Sequence, residues 1–167
     1  MEITVLGSGD PLGMPVPMCS CSYCENSLNR LRAGLKIESD SKTIVLDAGP
    51  DIRYQLIETE TKKVDGFFVT HQHFDHFGGL PELETIDSFT ESEINLYGNP
   101  DLEKHIENNK SWINLEVDNS KKVDIGNLTI EAFEVDHSDD FHTRGYSVTN
   151  LEGKKVVYIP DLKKLKE

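Results

Sequence analysis

Residues 71–76 of this chain read His-Gln-His-Phe-Asp-His and directly follow an apolar run, Phe67-Phe68-Val69-Thr70. Three of the six histidines therefore fall within six positions, with a carboxylate between them. The apolar run predicts a buried strand, and loops after strand ends are where α/β folds place ligands. Imidazole and carboxylate together suit Zn, Mn or Fe. The stretch therefore predicts a metal site at a strand end; a solvated polar loop is the alternative.

The sequence on both sides of this stretch predicts an α/β fold with hairpins as well as strand–helix alternation. Residues 10–24 hold three prolines and predict an irregular loop, and Asp51 is expected to cap the first helix. Gly78-Gly79 are expected to allow a tight turn. Strands are predicted at 3–7, 35–37, 43–46, 67–70, 94–97, 128–135, 145–149 and 155–159, and helices at 52–57, 79–88 and 100–109.

The charge and hydropathy of the sequence restrict the kinds of molecule that this protein is expected to bind. The 167 residues predict one domain, 1–167, and 17 basic against 30 acidic residues give a net charge of −13. That excess repels phosphate backbones and anionic lipid, so we expect neither a nucleic-acid nor a membrane partner. No apolar run reaches the ~20 residues of a transmembrane helix, and residues 1–10 do not resemble a signal peptide. We therefore expect a cytoplasmic protein.

All three cysteines, Cys19, Cys21 and Cys24, lie within six residues. An odd number of such close neighbours is poorly suited to disulfide pairing. In a reducing compartment this spacing favours metal ligands over a disulfide framework. Three free thiols are the alternative.

Taken together, these motifs resemble the metallo-β-lactamase superfamily. The run at 71–76 matches its His-x-His-x-Asp-His signature. Asp47, which ends the predicted strand 43–46, matches the first motif, His137 the third, and Asp161 the fourth. The resemblance implies an αββα sandwich.

The same resemblance implies a role for each motif residue. His71, His73 and His137 would hold one divalent metal, Asp75 and His76 would belong to a second, and Asp161 would lie between the two. Asp75 and Asp161 are the expected catalytic residues. Asp47 would orient the ligand loop, as hydrogen-bonding partners of metal ligands commonly do.

Each of the outlying motif residues has an alternative interpretation. Asp47 would otherwise be a turn residue before Gly49-Pro50, and His137 a surface histidine. Asp161 would otherwise cap a short helix over Leu162–Glu167. We expect His142 and His105 to lie at the surface.

The cysteine spacing resembles a narrower branch, which includes phosphoribosyl cyclic phosphate phosphodiesterases of the carbon–phosphorus lyase pathway and a relative from pyrroloquinoline quinone biosynthesis. In that branch three thiolates and a late histidine hold a structural zinc. The family's fifth motif is also a late histidine, but no histidine follows His142 here. The resemblance therefore predicts truncation after the fourth motif, an incomplete second half of the sandwich, and weak turnover unless Zn or Mn is in excess. The same gap predicts exposed strand edges and a tendency to form a homodimer.

The function this resemblance favours is hydrolysis of a small phosphodiester, cyclic phosphodiesters included, by a metal-activated water. One alternative is hydrolysis of a lactone or thioester on the same scaffold. Another is a non-catalytic zinc-binding protein of cofactor biosynthesis. Processing of tRNA 3′ ends is disfavoured, because the sequence shows no basic cluster to hold RNA.

Overall fold

The computed structural model describes residues 1–90, 92–110 and 115–164. Strands and helices alternate through the first two thirds, and strands follow. The elements are β1 (Glu2–Gly7), α1 (Ser22–Glu25), β2 (Gly34–Ser39), β3 (Lys42–Leu46), α2 (Ile52–Glu58), β4 (Gly66–Phe68), α3 (Phe74–Phe77), α4 (Leu80–Phe89), β5 (Leu96–Tyr97), α5 (Pro100–Asn108), β6 (Val117–Asp118), β7 (Lys122–Ile125), β8 (Leu128–Val135), β9 (Thr143–Asn150) and β10 (Lys155–Tyr158). None of the described helices is long and apolar enough to cross a membrane.

The strands form two sheets. The first has the order β1-β2-β3-β4-β5-β6, and the second has the order β10-β9-β8-β7. In the first sheet β1, β2 and β3 are antiparallel neighbours, whereas β3 to β6 run parallel. The second sheet is antiparallel throughout.

Alternating side chains build two cores on either side of the first sheet. In β3, Ile44 and Leu46 point toward the second sheet, whereas Val45 points toward the helices. This is the period-two pattern of a strand that is covered on both faces. The inter-sheet core adds Ile37, Phe68, Leu128, Ile130, Tyr146 and Val148. The other core packs α2, α4 and α5 on the first sheet through Ile52, Leu80, Leu83, Leu102 and Ile106. The described chain is thus a helix–sheet–sheet arrangement.

This topology gathers the ligand-bearing loops at one edge. Asp47 follows β3 and His71 follows the parallel neighbour β4, so both lie at the carboxyl ends of adjacent strands. Strands β8 and β10 both run antiparallel to β9 and are therefore parallel to each other. His137 and Asp161 follow these two strands.

Several local predictions need correction. Residues 10–24 are not wholly irregular, because α1 begins at Ser22. Asp51 does not cap α2 with its side chain but accepts hydrogen bonds from Arg32 N–H and Arg32 Nη1. The strands β6 and β7 were not predicted. Residues 162–164 are not helical, while the rest of the proposed helix, 165–167, lies outside the described residues.

Candidate metal centre

Three imidazoles converge at the carboxyl edge of the sheets. His71 Nε2 lies 3.0 Å from His73 Nδ1, and His73 Nδ1 lies 3.1 Å from His137 Nε2. Three ring nitrogens that face one point cannot all be paired well by hydrogen bonds to one another, because each hydrogen bond needs one donor and one acceptor. The arrangement instead directs lone pairs toward a shared centre.

Asp161 completes this group with a carboxylate. Its Oδ2 lies 3.4 Å from His71 Nε2 and 3.3 Å from His137 Nε2. Four ligands at about 2.05 Å from a tetrahedral zinc stand about 3.3 Å apart. The ligand atoms of His71, His73, His137 and Asp161 all lie within 4.8 Å of one another. The donor set and spacing therefore fit one divalent transition metal.

A second group adjoins the first through the same carboxylate. His76 Nε2 lies 3.0 Å from Asp75 Oδ2 and 3.3 Å from Asp161 Oδ2. This buried Nε2 has no well-aligned hydrogen-bond partner among the described residues. An orphaned ring nitrogen between two carboxylates fits a second cation, with Asp161 shared between the two positions.

Asp47 lies beneath both groups and is almost fully buried, at 1% exposure. Its Oδ1 accepts hydrogen bonds from Thr70 N–H at 2.8 Å and from the Thr70 hydroxyl at 2.9 Å. Its Oδ2 accepts from His76 Nδ1 at 2.7 Å and from the Tyr158 hydroxyl at 3.0 Å. The carboxylate thus joins the loop after β4, helix α3 and the end of β10, which an ordinary turn residue would not do.

The charges around the centre favour a cation. Burial lowers the pKa of His76, but Asp161, Asp47 and Asp75 outweigh burial and raise the pKa to about 10. The imidazoles of His71 and His76, whose Nε2 atoms lie 3.4 and 3.3 Å from Asp161 Oδ2, hold the pKa of Asp161 far below its usual range. Burial and neighbouring histidines lower the pKa of His73, keeping that ring neutral and able to ligate. A bound cation would balance the negative charge of these carboxylates, which the protonated His76 side chain otherwise balances.

Two glycines allow the ligand loop to approach Asp47's own loop. A Cβ at Gly49 would stand 2.0 Å from Asp75 O, and one at Gly79 would stand 2.2 Å from Gly49 O. Gly78 and Gly79 alone connect α3 to α4, as the predicted tight turn requires, but neither occupies the left-handed region. Glycine is required because there is no room for a side chain.

The loop that delivers His137 is anchored to α5. Asp101 Oδ2 accepts hydrogen bonds from His142 N–H at 2.8 Å and contacts His142 Nδ1 at 2.7 Å. Asn99 Nδ2 donates to His142 O at 2.7 Å. Phe141, on the same loop, packs edge-on against His73 with ring centroids 4.9 Å apart. His142 is exposed, as expected, whereas the partly buried His105 packs edge-on against Phe77 at 5.1 Å.

Sequence reasoning missed four residues at this centre: Thr70, Asn99, Phe141 and Tyr158. Thr70 directly precedes the ligand run, and Tyr158 stands three positions before Asp161. For Thr70 and Tyr158, the position next to or near a motif residue was the only signal in the sequence. Nothing in the local pattern indicated which group each would contact.

The cysteines form a separate cluster in the β1–β2 connection. Their three sulfur atoms lie within 4.8 Å of one another, and Cys19 Sγ and Cys21 Sγ are 3.4 Å apart. Thiolates 2.3 Å from a tetrahedral zinc would stand about 3.8 Å apart. The backbone N–H of Cys24, followed by the Cys19 and Cys24 thiols, lowers the pKa of Cys21 to about 7. The spacing of the three sulfur atoms therefore fits that of three thiolate ligands around one zinc ion.

Comparison with known proteins places this geometry in context. The model of the beta-lactamase superfamily domain matches residues 42–167. The crystal structure of a new diphosphatase from the PhnP family aligns with a TM-score of 0.76 and 27% identity, over 88% of this chain and 62% of that one. Zn(2+)-bound PqqB from Methylobacterium extorquens aligns with a TM-score of 0.81 over 100% of this chain and 67% of that one. At 20% identity, PqqB shows the fold alone.

Two sequence relatives carry other names. Ribonuclease Z of Staphylococcus haemolyticus (strain JCSC1435) is 30% identical over 155 residues, which are 89% of this chain and 44% of that protein. The octanoyltransferase of Porphyromonas gingivalis (strain ATCC BAA-308 / W83) is 39% identical over 90 residues, 52% of this chain and 18% of that protein. The chain thus spans less than half the length of these two relatives. The metallo-β-lactamase fold predicted from the sequence is confirmed.

Proposed function

We propose, from the premise that this chain belongs to the beta-lactamase superfamily, that it carries the active site of a metal-dependent hydrolase acting on small phosphodiesters. One observation carries the proposal: three imidazoles and a carboxylate are spaced as ligands of a single divalent ion, and a second carboxylate–histidine pair adjoins them. When bound, two such ions supply positive charge for phosphate oxygens and lower the pKa of water toward neutrality.

The position of each residue assigns it to one of the two proposed metal ions. His71, His73 and His137 would hold one ion, Asp75 and His76 would hold the other, and Asp161 would be shared between them. Asp75 is buried, whereas the Asp161 side chain is about one-third exposed. Asp161 is therefore the carboxylate of this pair that water and substrate could reach, and it would accept a hydrogen bond from the attacking water and orient it.

The phosphodiester class is supported by two relatives whose names describe cleavage at phosphorus, a diphosphatase and a ribonuclease. A small substrate fits a chain of net charge −13 better than a long polyanion does. The described structure does contain basic residues near one another, Lys42, Arg53, Lys62 and Lys63, around one surface cavity. That cavity includes the starts of β3 and β4, opposite the strand ends that carry the metal ligands.

RNA processing is the second candidate, because ribonuclease Z is among the relatives. The basic residues at the far end of the strands do not line the metal centre, so they would not hold RNA across it. Lactone or thioester hydrolysis on the same scaffold is a third outcome of the experiment below.

We also propose a structural zinc at Cys19, Cys21 and Cys24. The supporting observations are the sulfur spacing and the lowered pKa of Cys21, which favours the thiolate that ligates zinc. This zinc would stabilise the β1–β2 connection and take no part in hydrolysis.

The test is hydrolysis of bis(p-nitrophenyl) phosphate, measured across titrations of Zn²⁺ and Mn²⁺ beside a lactone, a thioester and a tRNA precursor. We expect metal-dependent release of p-nitrophenol and little turnover of the other substrates. The double variant His71→Ala/His73→Ala should lose about one equivalent of metal and the activity. A Lys104→Ala variant, on exposed α5 surface, is the control. Unchanged metal content in the double variant, or preference for a different substrate, would contradict the proposal.

A further inference from the structure

Hydrogen bonds from Thr70, His76 and Tyr158 to Asp47 connect the two candidate metal positions from below. The carboxylate accepts from Thr70 twice, from His76 Nδ1 and from the Tyr158 hydroxyl. A carboxylate only accepts hydrogen bonds, so each partner must place a proton on its own side of the contact. The protonation pattern of the neighbouring side chains follows from this rule.

The Thr70 hydroxyl extends the pattern to the first metal position. It has one proton, which it donates to Asp47 Oδ1 at 2.9 Å. The same oxygen lies 2.9 Å from His71 Nδ1, so at that contact it accepts and His71 Nδ1 donates. With its proton on Nδ1, His71 presents the Nε2 lone pair to the centre.

His76 is fixed in the same way at the second position. Its Nδ1–H donates directly to Asp47 Oδ2 at 2.7 Å, which leaves Nε2 facing Asp75 and Asp161. His73 has the opposite orientation, because its Nδ1 faces His71 and His137. The neighbouring rings therefore need different tautomers, which nothing in the motif spacing dictates.

Tyr158 connects the same carboxylate to the strand that delivers Asp161. Its hydroxyl donates to Asp47 Oδ2 at 3.0 Å from the last residue of β10. Asp161 follows three positions later, in a stretch without regular structure. The Tyr158 contact is the last side-chain anchor before Asp161 reaches between the histidines.

We propose that Thr70 and Tyr158 are positioning residues that act through Asp47: Thr70 sets the tautomer of His71, and Tyr158 holds the strand end that presents Asp161. Hydrogen-bond partners of this kind commonly contribute 10- to 100-fold to metal affinity. The inference rests on the proposed function in one respect, that divalent ions occupy the centre.

The experiment measures zinc affinity by competition with a chromophoric chelator in the full chain, with Cys19, Cys21 and Cys24 intact. We expect Thr70→Val and Tyr158→Phe each to weaken zinc binding at the histidine centre by roughly 10- to 100-fold. Thr70→Ser keeps the hydroxyl and should restore nearly all of the affinity. Tyr146→Phe is the matched control, since its buried phenol donates to Val69 O at 2.8 Å and not to Asp47.

A second readout tests the tautomers directly. In long-range ¹H–¹⁵N spectra of the zinc-loaded protein, His71 and His76 should carry their proton on Nδ1, and His73 on Nε2. If the parent chain binds no zinc at the histidines, the proposed function fails and the inference with it. If it binds zinc but Thr70→Val has the same affinity, or His71 carries its proton on Nε2, the positioning role is wrong while the proposed function stands. A loss of thermal stability alone, equal in Tyr158→Phe and Tyr146→Phe, would also overturn it.

Discussion

At the scale of single residues, the two candidate metal clusters differ in how they meet solvent. His71 and His76 are buried, and their second ring nitrogens bond to Thr70 and Asp47. Cys19 and Cys21 are exposed, and only Cys24 is buried. The close spacing of the three thiols and the pKa of about 7 for Cys21 are the observations behind the proposed zinc site.

Replacing Cys21 with serine tests that role. We expect Cys21→Ser to lose about one equivalent of zinc and to lower the thermal midpoint, because metal binding and folding are coupled. Zinc content and thermal denaturation measure the two effects. Ser20→Ala, at the adjacent position, should retain both. Full zinc content in Cys21→Ser would show that the thiols are free.

At the scale of elements, Asp65 connects the starts of two parallel strands. Its Oδ2 accepts from Thr43 N–H at 3.0 Å, and its Oδ1 forms ion pairs with Lys42 at 2.9 Å and Lys63 at 3.3 Å. Burial raises the pKa of Asp65, but hydrogen bonds from Lys42 and Thr43 outweigh it and hold the pKa below its ordinary value. This carboxylate therefore stabilises the β3–β4 pairing in its charged form.

Asp65→Asn should lower the free energy of unfolding at pH 7 by about 1–3 kcal/mol, because it removes a charge-assisted hydrogen bond from a largely buried position. A lowered folded-state pKa gives stability that is complete above the unfolded pKa of about 4 and is lost as pH falls through the folded value. The difference between the two proteins should therefore shrink below pH 4. Urea denaturation at several pH values measures it.

Lys63→Ala is the control for this pair. The Lys63 side chain is largely exposed, so its removal should change stability by no more than about 0.5 kcal/mol. If Asp65→Asn is as stable as the parent at pH 7, the contacts of Lys42 and Thr43 with residue 65 do not stabilise the fold through the negative charge of the carboxylate.

At the scale of the whole molecule, the second sheet does not cover the β1 edge of the first sheet. In β1, Ile3 pairs with Ile37 and Val5 pairs with Leu35, and both partners belong to the inter-sheet core. Yet Ile3 is 48% exposed and Val5 is 64% exposed. Within the described chain, β1 is also the edge of its sheet. An apolar edge strand of this kind favours association with another strand.

We therefore expect the chain to self-associate through β1, as a homodimer at moderate concentration. Val5→Lys should shift the molecule toward the monomer, since a charged edge residue opposes strand pairing. Sedimentation velocity over a concentration series measures the change. Leu151→Lys removes an exposed apolar residue from the β9–β10 turn and should leave the association unchanged. A parent chain that stays monomeric at every concentration would contradict the prediction.

The sequence by itself determined the ligand run at 71–76 and the strand that precedes it, because both depend on local residue type and spacing. It also determined β8 and α5, where long periodic runs or Asn99-Pro100 mark the element. It did not determine β6, whose two residues are too few to show a period. Only the tertiary structure brought Asp47, Thr70 and Tyr158 together, since contacts across 23 and 111 positions leave no mark in a local pattern. Tautomers and shared ligands depend on those distances, and so the chemistry of the centre was decided by the packing of the two sheets.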